Sequence, residues 1–405
     1  AIEWFGKLQA KDQQEILTWI EAGPGDDEAY KRWHKELSGH EPSDEEIVQH
    51  KKRWQLNHLS PLQKSLSSDW KRRYEELTGE LGKPERDYTE NSRVEVWRGP
   101  TSPLTAADFQ SMSVQEIVTY LSSWEPTRVP MSPSREGLCR QLTETIHKDP
   151  MRFAPEAARF QALDPTYVRG FLQGIRQAVS ETVGLPWAEI LSLCYWVVQQ
   201  PIAIEGRQVD KWGDDSDWGW TRKTIAGLLG VGLQEGPSMI PFDLRRQVWN
   251  ILEILTNDPD PSPDDEATDE PIDPSHVAIN STRGEAIQTV VRYALWVRSC
   301  LEKLPDGAEK IARGFQEMPE VRRVLETHLD LAQDPSLAIR SVYGRWFPSL
   351  TCLDMEWTKN HVRAIFPHGD SLRRYRDAAW DTYLVFCHPY TVVFDVLQEE
   401  YGNAI

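Results

Sequence analysis

Apolar residues recur every three to four positions along most of this 405-residue chain, a spacing typical of amphipathic α-helices. Most of these stretches end at a proline or a glycine, and several begin with residues that cap helix N-termini. The clearest start signals are two capping boxes and one N-cap followed by proline: Ser43 with Glu46, Ser113 with Glu116, and Asp164 with Pro165. The pattern therefore predicts an all-α protein.

The chain divides into five segments by pattern and composition. Residues 1–81 carry many charges and few apolar positions, which predicts an N-terminal charged helical hairpin region. Residues 82–104 lack periodicity, so we expect an extended linker or latch there. Residues 256–274 hold eight acidic residues, five prolines and no lysine or arginine, which predicts a solvated loop. Residues 105–255 and 275–405 are predicted to form two helical repeat arrays.

Helices in the two arrays alternate with short turns that contain proline. Helices of about 15 residues joined in this way are typical of a HEAT-like α-solenoid. The helix starts share no strict period, so we expect degenerate helical hairpins rather than a regular repeat. One helix is predicted from Pro150 through Phe160, and another from Ser336 to Phe347.

Composition narrows the class of partner. A net charge of −18 disfavours nucleic acid, because phosphate contacts need clustered lysine and arginine. No apolar stretch reaches the roughly 18 residues of a membrane span, so no membrane contact is expected. The five cysteines are scattered without a CxxC pair, which indicates a reducing cytoplasm. Because the chain starts at Ala1 and shows no clear stop signal, we expect a fragment of a larger protein.

Several segments resemble known chemical motifs but lack essential parts. The acids of 264–269 resemble a magnesium-binding aspartate-rich box, yet they lie between prolines that cannot hold a helix. Residues 214–219 resemble a calcium loop, but Ile225 stands where a bidentate carboxylate is required. The glycines of 227–232 match no phosphate-binding loop, and the histidines show no HExxH spacing. The sequence therefore predicts no catalytic, cofactor-binding or metal-binding residue.

Arginine and aromatic residues in the last third are candidate anchors for a protein partner, since both types are enriched at interface hot spots. Arg340, Tyr343, Arg345 and Trp346 share one predicted helix, and Arg283 lies at the start of the longest apolar helix. The free N–H groups of that helix start are a candidate anion site. The favoured alternative is structural, a capping network with a buried ion pair.

A second candidate anchor group is the cluster of Trp212, Trp218 and Trp220. These indoles are expected to fill gaps between adjacent helix pairs, with Asp217 capping the next helix. An aromatic recognition patch is the alternative interpretation.

Four segments are similar to the C-terminal helical region of very large bacterial proteins: WRGPTSP at 97–103, LDPTYV at 163–168, ALWV at 294–297 and SVYGRWFP at 341–348. The similarity covers residues from about 60 to the end. The resemblance implies a relation to anti-phage defence proteins or STAND-like NTPases, in which C-terminal repeats act as sensors. The nucleotide-binding and effector domains of such proteins have no counterpart in this chain.

The sequence thus predicts a non-catalytic helical scaffold or sensor that binds a protein partner, or other domains of its own polypeptide, within a larger bacterial defence protein. It predicts no cofactor. Two alternatives stay open. One is a helical enzyme whose site is assembled from dispersed carboxylates and histidines, and the other is a purely structural spacer.

Overall fold

The computed structural model describes residues 5–25, 30–32, 34–35, 40–84, 101–127, 132–207, 214–262, 266 and 272–403. In these residues every regular element is a helix, and extended residues meet in two isolated β-bridges, Thr101 with Pro133 and Ala203 with Asp217. The predicted all-α class is confirmed. The chain forms two compact units, Ala1–Arg98 and Gly99–Ile405.

The first unit contains helices α1 (Ala10–Ala22), α2 (Asp44–Leu59) and α3 (Ser68–Leu81), with a 3-10 turn at Ser60–Ser65. The predicted capping box forms at the start of α2: the Ser43 N–H donates to Glu46 at 2.7 Å, and the Glu46 N–H donates to the Ser43 hydroxyl at 3.3 Å. Most of the predicted linker at 82–104 lies outside the described residues. A small apolar core holds the unit together, formed by Phe5, Leu17, Ile20, Leu56, Leu59, Leu66, Tyr74 and Leu77.

The second unit opens with two short helices, α4 (Ala106–Ser111) and α5 (Val114–Ser123). The helices that follow are α6 (Arg135–Lys148), α7 (Pro150–Phe153), α8 (Pro165–Ala178), α9 (Trp187–Gln199), α10 (Gly219–Gly232), α11 (Arg245–Leu255), α12 (Pro274–Asn280), α13 (Thr282–Glu302), α14 (Gly307–Ala312), α15 (Pro319–Leu329), α16 (Leu337–Leu353), α17 (Met355–Ile365), α18 (Arg373–Phe386) and α19 (Thr391–Asn403). Short 3-10 turns lie at Ala154–Ala162, Phe242–Leu244, Gly314–Glu317 and Asp370–Leu372.

Helices of the second unit pack in a row in which α6 contacts α8, α8 contacts α10, and the contacts continue through α13 and α16 to α18. Beside this row, the turn Ala154–Ala162 contacts α9, α9 contacts α11, and α11 contacts α13. One hydrophobic core joins buried side chains from Phe109 to Leu397. Each amphipathic helix thus buries its apolar face against a neighbour. The finer division into arrays at 105–255 and 275–405 stays a prediction.

The helix predicted from Pro150 through Phe160 is not continuous. It ends at Phe153, and the chain continues as a 3-10 turn with a kink at Glu156. Pro155 lacks the N–H group that a continuing α-helix would use, which accounts for the break.

Helix α16 is longer than predicted. It continues beyond Phe347 to Leu353, although Pro348 lies inside it. Leu350 and Leu353 are both buried, so their packing offsets the cost of proline in a helix. Tertiary burial therefore overrides the local stop signal.

The acidic segment 256–274 is packed against the helices in its described part, which differs from the expected solvated loop. Asp258 is 2% exposed, and its carboxylate accepts a hydrogen bond from the Arg222 guanidinium at 3.0 Å. Asp260 accepts the N–H of Thr282 at 2.6 Å, at the first residue of α13. These carboxylates satisfy donors that burial would otherwise leave unpaired, so the segment connects helices rather than separating them.

Candidate protein-binding surface

Arg340 and Tyr343, two of the predicted anchors, lie in the core. Arg340 is 1% exposed, and its guanidinium donates to the carbonyl oxygens of Ala364 at 2.8 Å and Leu329 at 2.9 Å. The Tyr343 hydroxyl donates to the carbonyl oxygen of Leu325 at 2.6 Å. Burial lowers the pKa of Arg340 below its ordinary value. Both side chains hold α16 to its neighbours, and a partner would reach them only if these helices separated.

Arg283 holds the acidic segment to α13. Its guanidinium donates to the carbonyl oxygens of Asp258 at 2.7 Å and Pro261 at 2.9 Å, and its Nε lies 3.3 Å from the Asp334 carboxylate. The N-terminus of α13, a candidate anion site, already binds the Asp260 carboxylate. These contacts are those of a capping network with a buried ion pair, and they leave no free anion site at this helix start in the described chain.

The three candidate tryptophans fall into different environments. Trp218 is buried and meets Trp196 edge to face, with ring centroids 5.6 Å apart, so it fills a gap between helices. Trp220 is 59% exposed, with the Lys223 ammonium 5.3 Å from its ring centroid, so it does not act as a plug. Trp212 lies outside the described residues.

The acidic residues beside these tryptophans are engaged within the protein. Asp217 accepts the N–H of Gly219 at 2.7 Å, at the first residue of α10, but the N-cap position itself is occupied by Trp218, so Asp217 lies one residue before the cap that was predicted for it. The two neighbouring aspartates pair with arginines: Asp214 with Arg135 at 2.7 Å, and Asp215 with Arg169 at 2.8 Å. Burial is the largest single effect on Arg169 and opposes its charge, but the hydrogen bonds to Asp215 and Glu136 and the nearby negative charges together outweigh burial and raise its pKa.

Arg345 and Trp346 point to different sides of α16. The Arg345 guanidinium carbon lies 4.5 Å from the ring centroid of Phe386 in α18. The Trp346 ring instead receives the guanidinium of Arg292 in α13, at 5.4 Å. The two predicted anchors therefore do not form one surface. Of the two, Arg345 contacts an exposed aromatic side chain, Phe386, which belongs to a run of exposed large hydrophobic side chains.

Residues 384–394, which we name the C-terminal apolar segment, join the end of α18 to the start of α19. Val385 is 73% exposed, and the other large exposed hydrophobic side chains of the segment are Leu384, Phe386, Tyr390, Val392 and Phe394. Single exposed hydrophobic residues are ordinary, but such a concentration is typical of an interaction site. This segment is the strongest candidate surface in the described chain.

A groove on one side of this segment, which we name the acidic groove, runs between α12 and α18 and has a cavity volume of about 540 Å³. Its apolar lining includes Ile272, Val277, Leu337, Ala378, Val385 and Phe386. Its charged lining is mostly acidic and consists of Glu266, Asp273, Asp377, Asp381 and Arg374. The groove thus combines an apolar floor with an excess of carboxylates.

The carboxylates of the acidic groove differ in how they are engaged. Glu266 accepts hydrogen bonds from three donors at the start of α16, and Asp273 accepts the N–H of Ser275. The Asp377 carboxylate forms ion pairs with two arginines of α18, at 3.5 Å from Arg373 and 3.9 Å from Arg376. Asp381 has no hydrogen-bond or ion-pair partner among the described residues. Partial burial, then the negative charges of Asp377 and Asp273, raise the pKa of Asp381.

A second groove, of about 870 Å³, lies on the other side of the C-terminal apolar segment. It is lined by Tyr390, Val392 and Val393 from this segment and by residues of α13, α14, α16 and α17. Its charged lining residues are of both signs: Arg298, Asp354, Glu356 and Lys359. This second groove therefore offers apolar contact without a net charge preference.

The sequence patterns did not reveal the C-terminal apolar segment as a surface. The available signal is the run of four apolar residues at 383–386, because consecutive residues on a helix cannot all face one neighbour. A similar run follows at 392–394. These two runs therefore could have predicted exposed apolar side chains at the end of α18 and the start of α19.

No family model, curated protein or solved structure matches this chain. Among the residues that the structure describes, none of the helices combines the length and the apolarity that a membrane span needs. In the same residues, no three His, Cys, Asp or Glu side chains come close enough to share a metal ion.

Proposed function

We propose that this chain is a non-catalytic helical scaffold or sensor that binds a protein partner through its C-terminal apolar segment. The observation that carries the proposal is the exposure of six large hydrophobic side chains within residues 384–394. Burial of apolar area contributes about 25 cal/mol per Å² removed from water, so a complementary surface would gain substantial free energy here. Arg345, stacked on Phe386, supplies a guanidinium anchor beside the apolar side chains.

We also propose that the helices of the second unit form a degenerate HEAT-like solenoid. The row of contacts from α6 through α8, α10, α13 and α16 to α18, with further helices packed beside it, supports this proposal. In a stack of this kind each hairpin contacts mainly its neighbours. The C-terminal apolar segment joins α18, the last helix of the described row, to α19.

The cellular setting that we propose comes from the resemblance of four segments to the C-terminal regions of very large bacterial proteins. In that setting the chain would act in the cytoplasm as the sensing part of an anti-phage defence protein. The partner would be a protein or another domain of the same polypeptide. Nucleic acid is a poor candidate for a chain with a net charge of −18.

Site-specific photo-crosslinking tests the proposal directly. Benzoylphenylalanine replaces Val385, and in a matched variant it replaces Val183, which is 77% exposed but lies far along the chain in the loop after α8. Both variants are expressed and irradiated in the cells that make the protein. We expect a discrete adduct of higher mass from position 385 and not from position 183.

The identity of the adduct decides between occupants. A second polypeptide, identified by mass spectrometry and reduced by Arg345→Ala, would support the proposal. An adduct between two copies of this chain would mean self-association instead of partner binding. Equal labelling at both positions, or none at position 385, would overturn the proposed function.

A further inference from the structure

We infer that the acidic groove binds a basic amphipathic helix, with lysine or arginine side chains against its carboxylates and apolar side chains on its floor. This inference rests on the proposed function, because it specifies the chemistry of the partner at one side of the C-terminal apolar segment.

The wall formed by α18 presents one face of a helix to the groove. Arg374, Asp377, Asp381 and Val385 follow one another at spacings of three or four residues and all line the groove. Asp377 and Asp381 are therefore neighbours on the helix surface, and carboxylates at this spacing repel each other. Arg373 and Arg376 offset part of that repulsion at Asp377, and a ligand cation beside Asp381 would offset the rest.

The opposite wall adds negative charge and apolar area. Asp273, at the N-terminus of α12, lines the groove and contributes to the field at Asp381. Glu266 also lines the groove, but both of its oxygens accept hydrogen bonds from the start of α16. The exposed side chain of Ile272 lies in the same lining. Asp381 is thus the groove carboxylate without a partner among the described residues, while Asp273 caps α12 and Asp377 lies beside Arg373 and Arg376. Arg374 is the lining residue of opposite charge.

The spacing of these carboxylates favours an extended cation over a single ion. The described residues include no group of three potential ligands that could share one metal ion. Lysine and arginine side chains on successive turns of a helix would instead place separate charges along the groove. Apolar side chains between them would meet Leu337, Val385 and Phe386, as in other complexes where an amphipathic helix occupies an apolar groove.

The probe is an amidated 16-residue peptide of leucine and lysine, labelled with fluorescein, with leucine at helical positions i, i+3, i+4 and i+7. The complete chain is titrated into this peptide, and binding is followed by fluorescence anisotropy. The test variant is Asp377→Asn/Asp381→Asn. The matched control is Glu189→Gln/Glu235→Gln, which removes the same charge from exposed side chains outside the groove. We expect the test variant to bind about tenfold more weakly, because screened charge pairs each contribute modestly, and the control to bind as wild type.

Two further measurements exclude trivial causes. A peptide with glutamate in place of lysine should not bind, and thermal melting should show that both variants stay folded. Equal weakening in the test and control variants would mean non-specific attraction to an acidic protein and would overturn the inference. So would undiminished binding by the test variant. Crosslinking at position 385 is independent of this peptide, so a partner adduct without peptide binding would remove the inference and leave the proposed function standing.

Discussion

The carboxylate of Glu266 accepts a hydrogen bond from the main-chain N–H of Ala338 at 2.7 Å, although the two residues are 72 positions apart. The same carboxylate accepts the Ser336 hydroxyl at 2.7 Å and the N–H of Leu337 at 3.1 Å. A negative charge at a helix N-terminus satisfies free donors and complements the helix dipole. One acidic side chain therefore connects the acidic segment to α16, the helix that carries Arg345.

Glu266→Ala should lower the free energy of unfolding by about 1 kcal/mol, the usual cost of losing a helix cap. Urea denaturation measures the change. The control is Glu235→Ala in the loop after α10, where an exposed carboxylate makes no hydrogen bond or ion pair among the described residues, and it should leave stability unchanged. An equal effect of both substitutions would show that Glu266 acts only through net charge.

Asp258→Ala should be among the most destabilising single substitutions in the second unit. The Arg222 side chain is 9% exposed and its guanidinium pairs with Asp258, so removing the carboxylate leaves a buried charge uncompensated. Breaking one partner of a buried ion pair typically costs about 3–5 kcal/mol. The double variant Arg222→Met/Asp258→Ala should recover part of that loss in urea denaturation, because it removes the unpaired charge as well. A double variant as unstable as the sum of both single variants would contradict this account.

Gly344→Ala should force α16 and α18 apart. An added Cβ at Gly344 would lie 1.9 Å from the carbonyl oxygen of Ala379, and backbone cannot give way as a flexible side chain can. We expect a loss of about 3 kcal/mol or more in thermal or urea unfolding, together with weaker peptide binding at the acidic groove. Gly79→Ala, in helix α3 with open space around it, is the control. It should stabilise the first unit by about 0.4–1 kcal/mol, because alanine restricts the unfolded chain.

Asp381→Asn should make the protein more stable near neutral pH. The pKa of Asp381 is raised in the folded protein, so the folded state favours the protonated form and ionisation reduces stability. That contribution is complete below the pKa of an unfolded Asp, about 3.9, and is lost as the pH rises through the higher folded value. At pH 7 the variant should melt at a higher temperature than wild type, and its free energy of unfolding should be larger by less than about 1 kcal/mol. Both differences should vanish below about pH 4. A constant difference across this range would contradict the raised pKa.

Much of the helical framework follows from the sequence alone. The capping box of Ser43 with Glu46 and the N-cap at Asp164 form as predicted, with the Asp164 carboxylate accepting the N–H of Thr166 at 3.0 Å. These contacts join residues two or three positions apart, so the local sequence contains both partners. The apolar period likewise depends only on the geometry of a single helix. For these reasons helix existence and most helix starts were predictable.

The candidate surface was decided by tertiary structure. Arg340 and Arg345 lie on the same helix, yet one is buried against Ala364 and Leu329 while the other contacts exposed Phe386. Composition and periodicity do not distinguish them, because exposure depends on which neighbouring helix covers each turn of α16. The role of Glu266 could not be predicted from local sequence either, because its hydrogen-bond donors at the start of α16 are about 70 residues away. The sequence determined that this chain forms amphipathic helices, and the packing of those helices determined which side chains remain available to a partner.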